Sequence, residues 1–316
     1  MLYNIKKPFA THHIQLKHHQ VYYEEYGNPN GVPVLFLHGG PGSGCNSSQK
    51  SFFNHKKFRV IFIDQRGSGK SKPRASTKDN TTQLLIMDIE KIRQLLDIPS
   101  WLIVGGSWGA TLAVAYAQKH TSRVKGMILR SLFLGTKEEI DWAFLKAPLK
   151  FRPELISNMI SVLNMEKVNS PINILGKMLE SKDVKKRALA SELWLEYEGN
   201  LSTLSYEGDN IKSIFENKNF NQKRLNSLPN TPFVEWHYIK NNFFLKKNQL
   251  IKEKKKLENI PISIVQSNYD LLCPPSTSFI FSQELNKTKI HKINRAGHYI
   301  SDPGVKEKIK ELLDDF

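Results

Sequence analysis

The segment from Gly105 to Gly109 contains the side chain best suited to nucleophilic chemistry. It reads Gly-Gly-Ser-Trp-Gly, follows the apolar run from Trp101 to Val104, and leads directly into a helix-forming segment. A serine at a sharp turn from a strand into a helix is held in a strained conformation, so small residues must flank it. The new helix directs its free amide groups at any oxyanion that develops there. The pattern predicts Ser107 as the nucleophile of a serine hydrolase; the alternative is a glycine-rich turn with an incidental serine.

A serine nucleophile needs a histidine as its base and a carboxylate that orients the histidine. After a turn of this kind, the acid and then the histidine follow the serine along the chain. Asp270 comes directly after the predicted strand 262–266, and His298 lies on the loop after the predicted strand 289–293. His291 lies within that second strand, where a structural role suits it better. Ser107, Asp270 and His298 are therefore the predicted catalytic triad.

Two backbone amides must stabilise the oxyanion of such an enzyme. One is predicted to be the amide of Trp108, the residue after the nucleophile. The other is expected from the loop His38-Gly39-Gly40-Pro41-Gly42, where glycines allow the backbone to approach a substrate closely. Gly40 is the predicted donor, and Gly39 is the alternative.

The elements that position these residues alternate between short β-rich runs and helical patterns, which is typical of an α/β fold with a mostly parallel sheet. A hairpin is predicted over 14–26, strands over 32–37, 58–63 and 124–129, and helices over 81–96 and 305–313. Between 136 and 249 the β-rich runs nearly vanish. We therefore expect an α/β-hydrolase core of residues 1–135 and 250–316, in which helices flank the sheet, and an inserted helical cap of residues 136–249.

Composition excludes several other classes of protein. The 316 residues include 46 Lys and Arg and 30 Asp and Glu, which gives a net charge of +16, but no nucleic-acid-binding motif accompanies this charge. No apolar stretch approaches the roughly 20 residues of a membrane span, and no secretory signal is evident. With only two cysteines, a cytoplasmic location is expected. Adjacent histidines, His12-His13 and His18-His19, point to opposite faces of a strand, so we expect them to be solvated and predict no metal site.

Several longer motifs extend beyond the serine turn and together resemble the proline iminopeptidase family of α/β-hydrolases. They are Leu-His-Gly-Gly-Pro-Gly at 37–42, Asp-Gln-Arg-Gly-Ser-Gly-Lys-Ser at 64–71, Gly-Gly-Ser-Trp-Gly-Ala-Thr-Leu-Ala at 105–113, and Ala-Gly-His at 296–298. The resemblance covers nearly the whole chain. It implies a serine aminopeptidase that releases N-terminal proline through an acyl-enzyme, without a metal or organic cofactor.

The resemblance also implies residues that bind the substrate. Glu198, in Tyr-Glu-Gly, and Glu235, in Glu-Trp-His-Tyr, match the family's cap carboxylates, which hold the free amine of the peptide. Tyr238 ends the second of these motifs. Two carboxylates that lie close together repel, so one of them is expected to hold a proton until the cationic substrate arrives.

The family's proline pocket is aromatic, and this chain departs from it. Phe133 matches a pocket phenylalanine, and Trp142 is a further candidate, but Ala143 and Ile239 stand where the family has aromatic residues. The family's glycine two places before Phe133 is Ser131. We therefore expect aminopeptidase chemistry with a looser selection of proline, because shape rejects wrong side chains only weakly.

Two other functions stay open from the sequence. An esterase or amidase with the same triad would have no requirement for a free amine. A non-catalytic binding protein on a hydrolase fold would use neither the triad nor the cap carboxylates. The expected partners are peptides with a free N-terminus, with no nucleic acid and no membrane, and the chain is expected to be a monomer or a small homo-oligomer.

Overall fold

A computed structural model describes residues 2–166, 169–217, 219–221, 224–225 and 227–316. Within this part of the chain, eight strands form one sheet. The strands are β1 (Ala10–Leu16), β2 (His19–Gly27), β3 (Val32–Leu37), β4 (Phe58–Asp64), β5 (Trp101–Ser107), β6 (Val124–Leu132), β7 (Ile262–Ser267) and β8 (Thr288–Ile293). The predicted hairpin and the predicted strands are confirmed, but β1 begins before the expected start at 14 and β6 extends beyond the expected end at 129.

The strand order is β1-β2-β4-β3-β5-β6-β7-β8. The pairs β1–β2 and β2–β4 are antiparallel, and all pairs from β4 to β8 are parallel. The chain leaves β3 for β4 on one side and then returns to β5 on the other. The order therefore switches direction at β3 and β5, and ligands of open α/β sheets bind beyond the carboxyl ends of the strands at such a point. Ser107 and the loop 38–44 both lie there.

Helices cover both faces of the sheet, because the central strands are buried apolar runs on either side. The helices Thr82–Leu95 and Trp108–Lys119 pack on one face, where Leu85, Ile89 and Leu112 belong to a single buried cluster. The other face packs against the helix Val305–Asp314. The helix predicted over 81–96 is confirmed, and the Thr81 hydroxyl caps it by accepting a hydrogen bond from the Leu84 amide.

The chain between β6 and β7 contributes no strand in its described residues. Its helices are Lys137–Asp141, Trp142–Lys146 (a π-helical turn), Ala147–Phe151, Pro153–Val162, Ile172–Leu179, Val184–Ser202, Ile211–Glu216, Thr231–Lys240, Asn242–Phe244 (a 3₁₀ turn), Gln249–Lys252 and Lys254–Leu257 (a second 3₁₀ turn). Remaining short elements are Ser47–Phe52, Thr121–Arg123 and the helix Pro275–Ser282. None of the described helices is long and apolar enough to cross a membrane.

One histidine differs from the expectation of solvated pairs. His19 is fully buried at the start of β2, and its Nε2 lies 2.7 Å from the carbonyl oxygen of Lys78. Burial lowers the pKa of this imidazole. The prediction of a solvated side chain was therefore wrong for His19, because the loop before the first helix folds back over the hairpin end.

Candidate active site

The backbone at Ser107 has the strained conformation that the sequence predicts, with φ 54° and ψ −125°. The surrounding glycines are required for steric reasons. A Cβ at Gly105 would lie 2.5 Å from the carbonyl oxygen of Gly109, and a Cβ at Gly109 would lie 2.1 Å from that of Leu37. Because real Cβ atoms do not approach carbonyl oxygens so closely, only glycine fits on both sides of the turn. The serine is thereby held at the carboxyl end of β5.

Asp270 and His298 are in direct contact. His298 Nδ1 lies 2.9 Å from Oδ2 and 3.0 Å from Oδ1 of Asp270. Asp270 is buried, and its Oδ1 also accepts hydrogen bonds from the amides of Leu272 and Cys273. Burial by itself would raise the pKa of Asp270, but His298 and these donors together lower it below its ordinary value. An ionised carboxylate in this position fixes the orientation of the imidazole.

Cys273 lies beside Asp270 and His298. The side-chain ligand atoms of Asp270, Cys273 and His298 all lie within 4.8 Å of one another, and Cys273 lines the same pocket as Ser107. Such a cluster has the spacing of metal ligands, but burial and the Asp270 charge raise the pKa of Cys273 well above its usual value. The protonated thiol is a poor metal ligand, so these groups suit proton transfer better than metal binding.

Arg130 and Ser131 contact the loop of His298 and each other, and no role was predicted for either of them. Arg130 Nη1 donates to the carbonyl oxygen of His298 at 2.7 Å and to Ser131 Oγ at 3.0 Å. Ser131 is fully buried at φ 48°, and it helps to lower the pKa of Asp270. The only sequence signal was the departure from glycine at 131. Together these residues help to position Asp270 and the loop that carries His298.

Both candidate oxyanion donors of the loop after β3 lie near the nucleophile. Gly40, at φ 104°, lines the same pocket as Ser107, while a Cβ at Gly39 would lie 3.6 Å from Ser107 Cβ. Trp108 begins the helix after the Ser107 turn, and its indole nitrogen donates to Gln65 Oε1 at 2.8 Å. The prediction that the Gly40 and Trp108 amides bind the oxyanion is compatible with these positions.

Ser107 opens into a small pocket. Acidic and apolar side chains share its walls, which are formed by Gly40, Ser107, Phe133, Ile140, Ala143, Phe144, Glu198, Glu235, Phe243, Leu272 and Cys273. Three predicted substrate-binding residues, Phe133, Glu198 and Glu235, are therefore brought together with the nucleophile. The aromatic ring of Phe243 was not predicted.

The other two predicted binding residues lie elsewhere. Trp142 lines a neighbouring groove with Thr136 and Glu139, so its expected place in the pocket is corrected. The next residue of this π-helical turn, Ala143, lines the pocket instead. Tyr238 is fully buried behind the pocket, where its ring centroid lies 4.6 Å from that of Trp108 and its hydroxyl donates to Asn80 Oδ1. It supports the wall without forming its surface.

The two glutamates form an acid pair. Both side chains line the pocket of Ser107, and the indole of Trp194 donates to Glu235 Oε2 at 2.9 Å. Burial and the neighbouring Glu198 raise the pKa of Glu235 well above its ordinary value. Burial also raises the pKa of Glu198, although nearby His298 opposes this effect. Raised pKa values on two neighbouring carboxyl groups mean that both resist ionisation without a compensating charge, so the pair is suited to receive a cation.

Comparison with known proteins agrees with this fold. Residues 32–305 match the family model of the alpha/beta hydrolase fold, so the chain is an α/β-hydrolase. It is 36% identical to a proline iminopeptidase of Neisseria gonorrhoeae over 99% of this chain and 98% of the relative. It is 33% identical to a proline iminopeptidase of Arabidopsis thaliana, over 99% of this chain and 83% of the relative. The chain belongs to the proline iminopeptidase family.

Solved structures resemble this chain in fold. A proline iminopeptidase-related protein from Thermus thermophilus aligns with a TM-score of 0.61 at 18% identity, over 96% of this chain and 97% of the other. An alpha/beta fold family hydrolase from Bacillus anthracis aligns with a TM-score of 0.60, also at 18% identity, over 98% of this chain and 99% of the other. At these identities the structural likeness is evidence for the fold alone.

Proposed function

We propose that this protein is a serine aminopeptidase that releases N-terminal proline from peptides through an acyl-enzyme. The observation that carries the proposal is the acid pair of half-buried Glu198 and buried Glu235 in the same pocket as Ser107. An exopeptidase must measure one residue from a free amine, and a pair of carboxyl groups facing the nucleophile is suited to do so. The relatives named proline iminopeptidases indicate proline as that residue.

In the proposed reaction the ammonium group of the substrate binds to Glu198 and Glu235, and its first carbonyl carbon lies at Ser107. His298 takes the proton from the Ser107 hydroxyl as the oxygen attacks, and Asp270 holds the resulting imidazolium. The Gly40 and Trp108 amides stabilise the oxyanion.

The C–N bond then breaks, and the departing amine takes the proton from His298. A water molecule, deprotonated by the same imidazole, hydrolyses the ester and restores Ser107. This cycle needs no metal or organic cofactor.

The domain division fits this role and is part of the proposal. Residues 1–135 and 250–316 form the core that carries the triad and the oxyanion donors. Residues 136–249 form the cap, which carries both glutamates and closes the pocket over the nucleophile.

We further propose that the protein acts in the cytoplasm on peptides with a free N-terminus. A cytoplasmic location suits its two unpaired cysteines.

The free-amine requirement gives the direct test. A prolyl arylamide and its N-acetylated form offer the same scissile bond, but only the first has a cationic amine. We expect the first to be hydrolysed and the second to be at least about a hundredfold slower, since a hydrogen bond to a charged group contributes about 1.5–3 kcal/mol and two carboxyl groups contribute here. Equal turnover of both compounds would instead identify an esterase or amidase.

A pair of matched variants on one helix controls this test. Glu198→Gln should raise KM for the prolyl arylamide about tenfold or more, through loss of one charged hydrogen bond. Glu196→Gln serves as the control, because Glu196 accepts hydrogen bonds from Asn200 and Asn210 instead of facing the pocket. If both variants keep the wild-type KM, the amine binds elsewhere.

A further inference from the structure

The turn Asn242–Phe244 has an unusual backbone. All three residues have left-handed φ angles of 49°, 54° and 53°, although none of them is glycine. Left-handed conformations cost stability in residues with a Cβ, and they persist where the surrounding structure enforces them, often at ligand sites. The turn therefore merits a functional explanation.

The surroundings of Phe243 do enforce this conformation. The Thr82 hydroxyl donates to the carbonyl oxygen of Phe243, and the Gln83 side chain donates to that of Phe244. Space for the ring is left by Gly135, where a Cβ would lie 3.2 Å from the ring of Phe243. The first helix of the core and the loop after β6 thus determine together where this ring lies.

The ring of Phe243 enters the pocket of Ser107. It packs edge-on against Phe133, with ring centroids 5.0 Å apart, and lies nearly parallel to Trp108 at 5.9 Å. It lines the cavity with both glutamates, and its side chain is 2% exposed. An aromatic surface consequently stands beside both the nucleophile and the acid pair.

We propose that Phe243 determines the substrate specificity of this chain. Its ring supplies the aromatic wall that the chain lacks at Ala143 and Ile239, so that a compact, rigid prolyl ring packs between Phe243 and Phe133. This inference rests on the proposed function and adds to it the residue that selects the side chain. It also replaces the expectation of a looser pocket with one of a selective pocket, because Phe243 supplies an aromatic surface from another part of the chain.

The test compares two neighbouring phenylalanines of the same strained turn. Phe243→Ala removes the ring from the pocket. Phe244→Ala is the matched control, because the Phe244 ring packs on His237 and Tyr238 at 5.1 and 5.4 Å instead of lining the pocket. Phe243→Gly removes the same ring and relieves the left-handed strain, which keeps the test valid if the alanine variant does not fold.

The measurement is the ratio of kcat/KM for prolyl and leucyl arylamides. We expect this ratio to fall about tenfold or more in Phe243→Ala and Phe243→Gly, and to stay within about twofold of wild type in Phe244→Ala. An unchanged ratio in both Phe243 variants would overturn the inference while leaving the aminopeptidase function intact, as would an equal fall in Phe244→Ala. Failure of the wild-type enzyme to hydrolyse the prolyl arylamide would refute the proposed function itself, and the inference with it.

Discussion

The substitution Glu235→Gln tests whether the acid pair exists for the substrate rather than for the fold. Glu235 is buried, and burial together with Glu198 raises its pKa above the ordinary value of 4.5. The proton held in the folded state stabilises the protein fully below about pH 4.5, and this contribution is lost as pH rises through the raised pKa. Glutamine has no such loss, and its amide oxygen can still accept the hydrogen bond from Trp194.

The expected magnitudes have opposite signs for stability and for catalysis. Replacing a poorly compensated buried ionisable group with a neutral one of the same shape stabilises by about 1–2 kcal/mol at pH 8. The substrate ammonium, in contrast, loses a charged hydrogen bond of about 1.5–3 kcal/mol. Since about 1.4 kcal/mol is a factor of ten, kcat/KM for a prolyl arylamide should fall about ten- to a hundredfold.

Two measurements check this prediction. Urea unfolding of wild type and Glu235→Gln between pH 5 and pH 8 should give a difference in the free energy of unfolding that grows with pH in favour of the variant. Steady-state kinetics at pH 8 should show the loss in kcat/KM. A variant that is less stable than wild type at every pH would refute the reasoning, because it would mean that the carboxyl group of Glu235 serves the fold.

Three further predictions concern the nucleophile and its support. Ser107→Ala should abolish labelling by a fluorophosphonate probe, detected by mass spectrometry, and persistent labelling would place the nucleophile elsewhere. Gly109→Ala should destabilise the fold by at least about 3 kcal/mol, because its Cβ would lie 2.1 Å from the Leu37 carbonyl oxygen; a wild-type unfolding midpoint in urea would contradict this. Arg130→Met removes the 2.7 Å hydrogen bond to the His298 carbonyl and should lower kcat about tenfold with little change in KM; steady-state kinetics that show only a raised KM would assign Arg130 to substrate binding.

Much of the fold was predictable because local signals and tertiary structure agree. The central strands are continuous apolar runs that end at glycine-rich loops, and the helix predicted over 81–96 is observed as Thr82–Leu95. The turn at Ser107 was equally predictable, since its glycines are needed to avoid clashes with Leu37 and within the turn itself. In such places the local sequence pattern indicates the structure directly.

The side chains that line the pocket were harder to predict, because their positions depend on distant segments. Trp142 belongs to a π-helical turn, and the orientation of its ring could not be inferred from helical spacing. Phe243 has no glycine to signal its left-handed turn, which Thr82 and Gly135 enforce from far along the chain. The expectation of a looser pocket considered only the family's aromatic positions. It therefore did not include Phe243, whose ring enters the pocket from a different segment.

The acid pair and the strained turn share one physical property. Each costs stability in the free protein, the first through buried carboxyl groups and the second through left-handed backbone. In the proposed complex each cost is offset by one part of the substrate. The ammonium group compensates the carboxyl groups, and the prolyl ring packs on Phe243. Such features are expected where a pocket selects for charge at one end and shape at the other. Because both of them border the pocket of Ser107, they favour a free-amine prolyl substrate over a generic ester.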